Sequence, residues 1–297
     1  MPSGSTYNCV STSSLHNTNG TGWIPVDLTL VSAKSPLSSL PSDPTNSSST
    51  GLYYTYTPGN GVYELTSILE SAKYAPSMRD NGGIDPAIFE KGTSLSLASG
   101  QRGLVGYWNF DEGTGTTAAD SSGNSNMGTL TNGPTWTTSC KVSGCLSFDG
   151  TNDYVDSGNN SILRITGTLT VIAWVKPTAP GKRIIAKNNA WDIAIDGAQK
   201  IRWAINGAQL VGSTAVSLSS FSQVAAVYDL QTKKIYINGT QDASIAYSTN
   251  ISDVADNVLI GSQTTSTAFF PGIIDDVRIY NRALSAAEIA TIYNATR

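Results

Sequence analysis

The loop Asp120-Ser-Ser-Gly-Asn-Ser-Asn126 carries oxygen-bearing side chains, Asp120, Asn124 and Asn126 among them, at close intervals around a glycine. Hard oxygen donors on a turn that bends sharply are the donor set calcium prefers. A second residue of chemical interest is Asp275, in Gly272-Ile-Ile-Asp-Asp-Val-Arg-Ile-Tyr280. Read with the period of two that a half-buried strand requires, Ile273, Asp275, Val277 and Ile279 share one face, and Ile274, Asp276, Arg278 and Tyr280 the other. The first face is apolar except for Asp275. A carboxylate set among Ile and Val must be neutralised, paired or bound to a metal, because ionised and alone in a core it costs several kcal/mol.

Other residue types narrow the chemistry further. His16 is the sole histidine and sits in a Ser/Thr/Asn/Gly-rich stretch, which removes Ser/His and Cys/His nucleophiles and any histidine cluster for zinc. Glycoside hydrolysis needs two carboxylates facing each other across a cleft, and the five glutamates are dispersed. The expectation is therefore a protein that is not an enzyme. Asp149, Asn152 and Asp153 lie in a Phe-Asp-Gly-Thr-Asn-Asp turn whose default role is turn chemistry, with Asn152 and Asp153 as candidate ligand contacts. Phe269 and Phe270 are adjacent, so in a regular strand they point opposite ways and one is a candidate exposed partner contact. Asp192 and Asp196 share a polar strand face and read as solvated. Trp174, Trp191 and Trp203 each share a face with Ile residues of their own strands and read as core. Cys140 and Cys145 bracket a Lys-Val-Ser-Gly turn that suits a hairpin-closing disulfide, implying an oxidising compartment, while Cys9 is left over.

Elements of the right kind must position these residues. The chain has 297 residues, 13% of them charged, and a formal net charge of -4, so it has no basic surface to attract nucleic acid or an anionic membrane. Ser, Thr, Asn and Gly supply the polar surface, as in extracellular β proteins. Glutamate and other helix formers are scarce, which favours a mainly β fold. No signal peptide and no run of about 18 apolar residues is present, so no membrane contact is expected of the chain as given. Two domains are expected at this length.

Along the first third, Leu40-Pro-Ser-Asp-Pro-Thr-Asn46 is followed by the strand Tyr53-Tyr-Thr-Tyr56, the turn Pro58-Gly-Asn-Gly61 and the strand Val62-Tyr-Glu-Leu-Thr66, a hairpin signal. Asp80-Asn-Gly-Gly-Ile-Asp-Pro86 then forms a loop with two carboxylates. These stretches resemble the C-terminal globular part of bacterial type IV pilins and pseudopilins. The resemblance implies a small α+β or β head over residues 1–98, with 99–103 as linker. It also implies a filament subunit that meets other pilin subunits through an N-terminal apolar helix missing from this sequence. Major pseudopilins hold calcium in their C-terminal loop, so the resemblance makes Asp80 and Asp85 a second candidate calcium set; the residues themselves read as a solvated turn.

From Leu104 the texture changes to short alternating strands at regular spacing, separated by Gly/Asn/Asp turns such as Asn238-Gly239. A helical pattern from Ser285 to Tyr293 closes the chain, with Ser285 as N-cap and Glu288 completing a capping box. Three blocks stand out: Leu104-Val-Gly-Tyr-Trp-Asn-Phe-Asp-Glu-Gly-Thr-Gly115, Leu146-Ser-Phe-Asp-Gly-Thr-Asn-Asp-Tyr-Val155 and Ile274-Asp-Asp-Val-Arg-Ile-Tyr-Asn-Arg-Ala-Leu284. With Thr170-Val-Ile-Ala-Trp-Val175, they resemble a laminin-G-like domain of the concanavalin A-like superfamily. The resemblance implies a two-sheet antiparallel jelly roll over residues 104–297 with its first and last strands adjacent. It places the Asp120 loop beside the closing strand, so calcium held by Asp120, Asn124, Asn126 and Asp275 is the expectation. The alternative is an Asx turn at Asp120, with Asp275 paired to an Arg or displaced outward by a bulge. The function expected from both resemblances is an extracellular, cell-surface filament subunit displaying a calcium-stabilised domain that adheres to a glycan or protein. The alternatives are a decorative domain without a ligand and a polysaccharide-acting enzyme.

Overall fold

The computed structural model describes residues 102–296 and the backbone of three strands before them: β1 (Thr55–Gly59), β2 (Val62–Ser67) and β3 (Phe89–Gly92). The chain divides into two compact units, Met1–Gln101 and Arg102–Arg297. In the first, β1, β2 and β3 form an antiparallel sheet in that order, and Gly59 pairs with Val62 across Asn60-Gly61. The pairing of β1 with β2 is the hairpin the sequence signals. Cys9, His16, Asp80, Asp85 and the 40–46 motif lie outside the described residues.

The second unit opens with β4 (Leu104–Trp108), β5 (Thr117–Ala118), β6 (Gly128–Thr131), β7 (Thr135–Thr137), β8 (Cys145–Asp149) and β9 (Tyr154–Asp156). It continues with β10 (Leu169–Pro177), β11 (Arg183–Lys187), β12 (Trp191–Ile195), β13 (Lys200–Ile205) and β14 (Ala208–Ala215). It ends with β15 (Ser222–Tyr228), β16 (Thr232–Ile237), β17 (Thr240–Ala246), β18 (Val258–Ile260), β19 (Pro271–Tyr280) and helix α1 (Ala286–Thr296). One sheet runs β17-β16-β15-β10-β19-β8-β7, with β4 also paired to β19; the other runs β14-β13-β12-β11-β18-β9-β6-β5. All pairings are antiparallel, and the first strand of the unit, β4, lies against the last, β19.

Alternation decides what lies between the sheets. Val171, Ala173 and Val175 of β10 face Trp191, Ile193 and Ile195 of β12 and Trp203 and Ile205 of β13 in one apolar core. The opposite face of the first sheet, with Ile172, Val227 and Tyr236, is covered by Ile289 and Ile292 of α1. An 11-residue helix is marginal alone, so this packing stabilises it, at about 1.5–3 kcal/mol per buried Ile. Its start is the expected capping box: Glu288 N donates to Ser285 Oγ (3.2 Å) and Ser285 N to Glu288 Oε2 (2.8 Å). Trp191 and Trp203 are core residues, whereas Trp174 is buried on the outer face, its ring 5.6 Å from Tyr293 and its Nε1 donating to Thr296 Oγ1.

β19 does not keep the period of two. Ile172 pairs with Arg278 and Trp174 with Asp275, so Ala173 alone faces both Asp276 and Val277. The extra residue is a bulge, and Asp276 takes φ 51°, a left-handed conformation that Asp tolerates. The bulge inverts the faces before it. Ile274, not Ile273, joins Val277 and Ile279 in the core. Asp275 shares the outer face with its pair partner Trp174.

Phe269 and Phe270 are both buried, against the expectation that one is exposed. They precede β19 rather than lie in it, and Ala268 at φ 63° turns the chain so that alternation does not apply. Phe270 enters the main core edge-on to Phe148, and Phe269 stacks on Tyr154. The edge of β14 is closed by a side chain: Asp242 of β17 accepts from Ser213 N (2.8 Å) and Thr214 N (3.0 Å), groups that would otherwise invite another strand.

Candidate functional site

The expected calcium donors are not brought together. Asp120 Oδ1 accepts from Tyr107 N and Ser122 N, both at 2.9 Å, and Oδ2 from Asn126 N at 2.8 Å. The carboxylate thus caps the free edge of β4 and makes an Asx turn. Asn124 and Asn126 turn their amide nitrogens toward the carbonyl of Val105 (3.3 and 2.7 Å). β4 separates this loop from β19. Asp275 has other partners: its Oδ2 accepts from Lys141 N (3.2 Å) and Val142 N (2.9 Å). A calcium ion shared by Asp120, Asn124, Asn126 and Asp275 does not fit, because N–H donors fill the first carboxylate and the second lies beyond a strand. Among the described residues, no three His, Cys, Asp or Glu side chains are grouped to hold a metal.

Asp275 instead anchors the disulfide loop. Cys140 and Cys145 are bonded, with Cα atoms 5.5 Å apart. Asp111 Oδ1 accepts from Gly144 N, and Lys141 Nζ lies 4.9 Å from the Trp174 ring. Burial pushes the Asp275 carboxyl up to about 7, and the Asp276 charge adds to this; the two N–H bonds oppose it. Asp275 Oδ1 is buried without a hydrogen-bond partner. Asp276 is the carboxylate that pairs with an arginine, its Oδ1 3.0 Å from Arg278 Nη2. Replacing Cys140 and Cys145 by Ser is expected to cost about 2 kcal/mol from the small loop they close. Chemical denaturation of the variant and wild type checks it.

Asn152 and Asp153 serve their turn. Asp149 Oδ1 accepts from Thr151 N (2.7 Å), Asp153 Oδ2 accepts from Asp149 N (3.0 Å), and the Asn152 carbonyl accepts from Asn132 Nδ2. Asn152 is exposed and Asp153 buried, which raises the Asp153 carboxyl above its usual range. Asp196 Oδ1 caps the β12–β13 turn through Ala198 N and Lys200 N.

Asp192 is different, and its reading as a solvated side chain does not hold. Across the outer face of the second sheet, Ala186, Asp192 and Ala204 pair in one row and Arg183, Ala194 and Arg202 in the next. The alanines leave a trough between longer side chains. Asp192 Oδ1 accepts from Arg202 Nη2 and lies 3.0 Å from Arg183 Nε. Burial raises its carboxyl while the two arginines pull it down, and the net direction is up. Asp192 also lines a cleft of about 410 Å³. Its rim carries Asn188, Asn189, Asn206, Ser252 and Gln263, and Ala204 also lines it.

The turns after β11 and β13 lie at the same end of the sheet, and Asn206 N donates to Ala190 O (2.8 Å) to tie them. Asn189 (φ 61°) and Asn206 (φ 49°) take left-handed conformations that asparagine accepts more readily than most residues. Asn206 is spent on Asn250 O and Ser252 N, so the amides of Asn188, Asn189 and Gln263, the Ser252 hydroxyl and the Asp192 carboxylate are the donors and acceptors offered to a hydroxyl-rich ligand. None of these rim residues stands out in sequence; the available signal was amide-bearing turns at one end of two consecutive hairpins.

Two antiparallel sheets around one core, with first and last strands adjacent, define a jelly-roll sandwich. Residues 149–290 match the family model of the Concanavalin A-like lectin/glucanases superfamily, a likeness that agrees with the jelly-roll fold of this unit. No curated protein matches the chain. Among solved structures, the binding domain of Paraclostridial Mosquitocidal Protein 1 is similar with TM-score 0.57 and 16% identity, over 65% of this chain and 52% of that one. Domain 4 of AbnA, a GH43 extracellular arabinanase from Geobacillus stearothermophilus solved in complex with arabinotriose, has TM-score 0.54 and 20% identity, over 64% of this chain and 98% of that one. The receptor binding domain of botulinum neurotoxin C/D mosaic serotype has TM-score 0.52 and 18% identity, over 65% and 51%. The chain spans about half the length of the toxin binding domains it matches. At these identities the likeness is one of fold.

Proposed function

We propose that residues 102–296 form a glycan-binding module whose ligand lies in the cleft over Asp192. The observation that carries this reading is the cleft itself, lined by amide side chains and by an arginine-clamped carboxylate, with Ala204 beside it. The arabinanase domain bound to arabinotriose and the toxin receptor-binding domains support a binding role for this fold. Catalysis is not part of the proposal: Asp192 is the one carboxylate among the cleft's lining residues, and glycoside hydrolysis uses two. The module is extracellular, in keeping with the Cys140–Cys145 bond. It is carried on a pilin-like filament subunit, a part of the proposal that rests on the sequence of residues 40–86. Immunogold labelling of the chain along cell-surface filaments tests that part.

A glycan array probed with the full chain tests the binding. Asp192→Ala is expected to weaken the strongest signal by about tenfold or more, since a charge-assisted hydrogen bond is lost and two arginines are left without their partner. An array without signal favours a decorative domain. A signal unchanged by Asp192→Ala places the ligand elsewhere, and turnover of any polysaccharide overturns the non-catalytic reading.

A further inference from the structure

Ser252 lines the cleft, and the segment that carries it, from Asn250 to Asn257, is held in part by a buried cation. Lys187, at the end of β11, is 1% exposed. Its Nζ donates to Asn159 Oδ1 (2.5 Å) and to the carbonyl of Asp256 (2.6 Å). Asn159 Nδ2 donates to Ala255 O (3.0 Å), and Asn189 Nδ2, from the cleft rim, to Asp256 Oδ2 (3.3 Å). At the other end of the segment, Asn206 Nδ2 donates to Asn250 O (2.8 Å) and its Oδ1 accepts from Ser252 N (2.9 Å). The first part of this wall is held by Asn206 at 250–252, by Ile251 N donating to Thr166 O (3.0 Å) and by the Arg164–Asp253 pair, and its far end, 255–256, by the Lys187–Asn159 pair. We propose that Lys187 is a positioning residue of the cleft, whose ammonium fixes the far end of the 250–257 wall and so sets the affinity for a glycan.

This rests on the cleft being the ligand site. A desolvated ammonium is costly unless its hydrogen bonds are kept, so Lys187 locks both acceptors while it is charged. Its surroundings keep that charge conditional. Burial and the charge of Arg164 lower its pKa, and the fields of Asp256 and Asp253 oppose this. Arg164 itself is paired to Asp253 in the same wall at 2.7 Å, an exposed pair that holds weakly. Loss of the proton from Lys187 leaves a neutral amine whose bonds to Asn159 and Asp256 are weaker.

The test uses the full chain and two variants, Lys187→Met, which keeps length without charge, and Lys187→Arg, which keeps charge. Without ligand, hydrogen exchange in 250–257 is expected to speed up by about tenfold or more in Lys187→Met while exchange in β15 is unchanged. Arabinotriose is the binding probe. Its affinity for the wild-type chain is expected to fall as pH rises through the lowered lysine range. In Lys187→Arg this alkaline fall is expected to disappear, and in Lys187→Met affinity is expected to be about tenfold lower at neutral pH. Exchange in Lys187→Met at the wild-type rate overturns the positioning role. Faster exchange with unchanged arabinotriose affinity overturns the link between wall and ligand. A wild-type chain that binds no glycan at all counts against the glycan reading, and exchange then decides the role of Lys187 by itself.

Discussion

Raising the pH from about 4 to about 8 is expected to destabilise the fold by about 4 kcal/mol through Asp275 alone, and Asp275→Asn is expected to remove that slope. The carboxyl titrates near 3.8 in the unfolded chain and at about 7 in the folded one. Between those values the folded state holds a proton that the unfolded state has released. Stability is therefore highest below the unfolded value, falls as pH rises through the window and is flat above it. Other carboxylates act against this slope: Asp229 is held well below its usual range by Lys234 and by the N–H groups of Thr232 and Gln231, so its contribution is lost in acid. The difference between wild type and variant isolates Asp275. Asn keeps an oxygen for the Lys141 and Val142 N–H groups and carries no charge, so the variant is expected to match wild type near pH 4 and exceed it near pH 8. Urea midpoints across this range check the prediction, and parallel wild-type and variant profiles would sink it.

Asp275 also shows what one sequence can and cannot tell. Its anomaly is legible: a carboxylate in an apolar strand had to be neutralised, paired or metal-bound, and the fold gives it a raised pKa and two N–H donors. Its face was left open: displacement outward by a bulge was one alternative and is what the fold shows, but where the bulge falls depends on how β19 registers with β10. The capping box at Ser285 and the Asn60-Gly61 hairpin were readable because their partners lie within four residues in sequence. The jelly roll was readable because alternation of the strands around Trp191 and Trp203 is local. Asp192 was misread for the opposite reason. Its partners, Arg183 and Arg202, stand on two neighbouring strands, and only the pairing of β11, β12 and β13 brings them to one carboxylate. β14 and β17, as edge strands, are largely exposed and carry no clean apolar alternation.

Gly272→Ala is expected to cost about 3 kcal/mol or more, for a reason also set by β19. Gly272 sits at φ 131°, and a Cβ there would lie 2.3 Å from the carbonyl oxygen of Lys176 and 2.9 Å from Pro177 Cα. Both obstacles are backbone, so no rotamer change relieves them. Gly272 pairs with Pro177 of β10 on one side and Phe148 of β8 on the other, so either shift breaks a ladder in the middle of the sheet. Gly197, in the β12–β13 turn, is the control: a Cβ there meets nothing within 4 Å and its φ is ordinary, so Gly197→Ala is expected to stay within about 0.5 kcal/mol of wild type. For a unit of this size the first variant should melt about 6–12 °C lower and the second almost unchanged. Asp275 lies three residues on in the same strand, so a Gly272→Ala chain that folds with β19 displaced should also lose part of the acid-side gain in stability that Asp275 confers. A melting temperature unmoved by Gly272→Ala would mean that β10 and β19 separate there at little cost, and the tight crossing of these two central strands would then not be what fixes the end of β19.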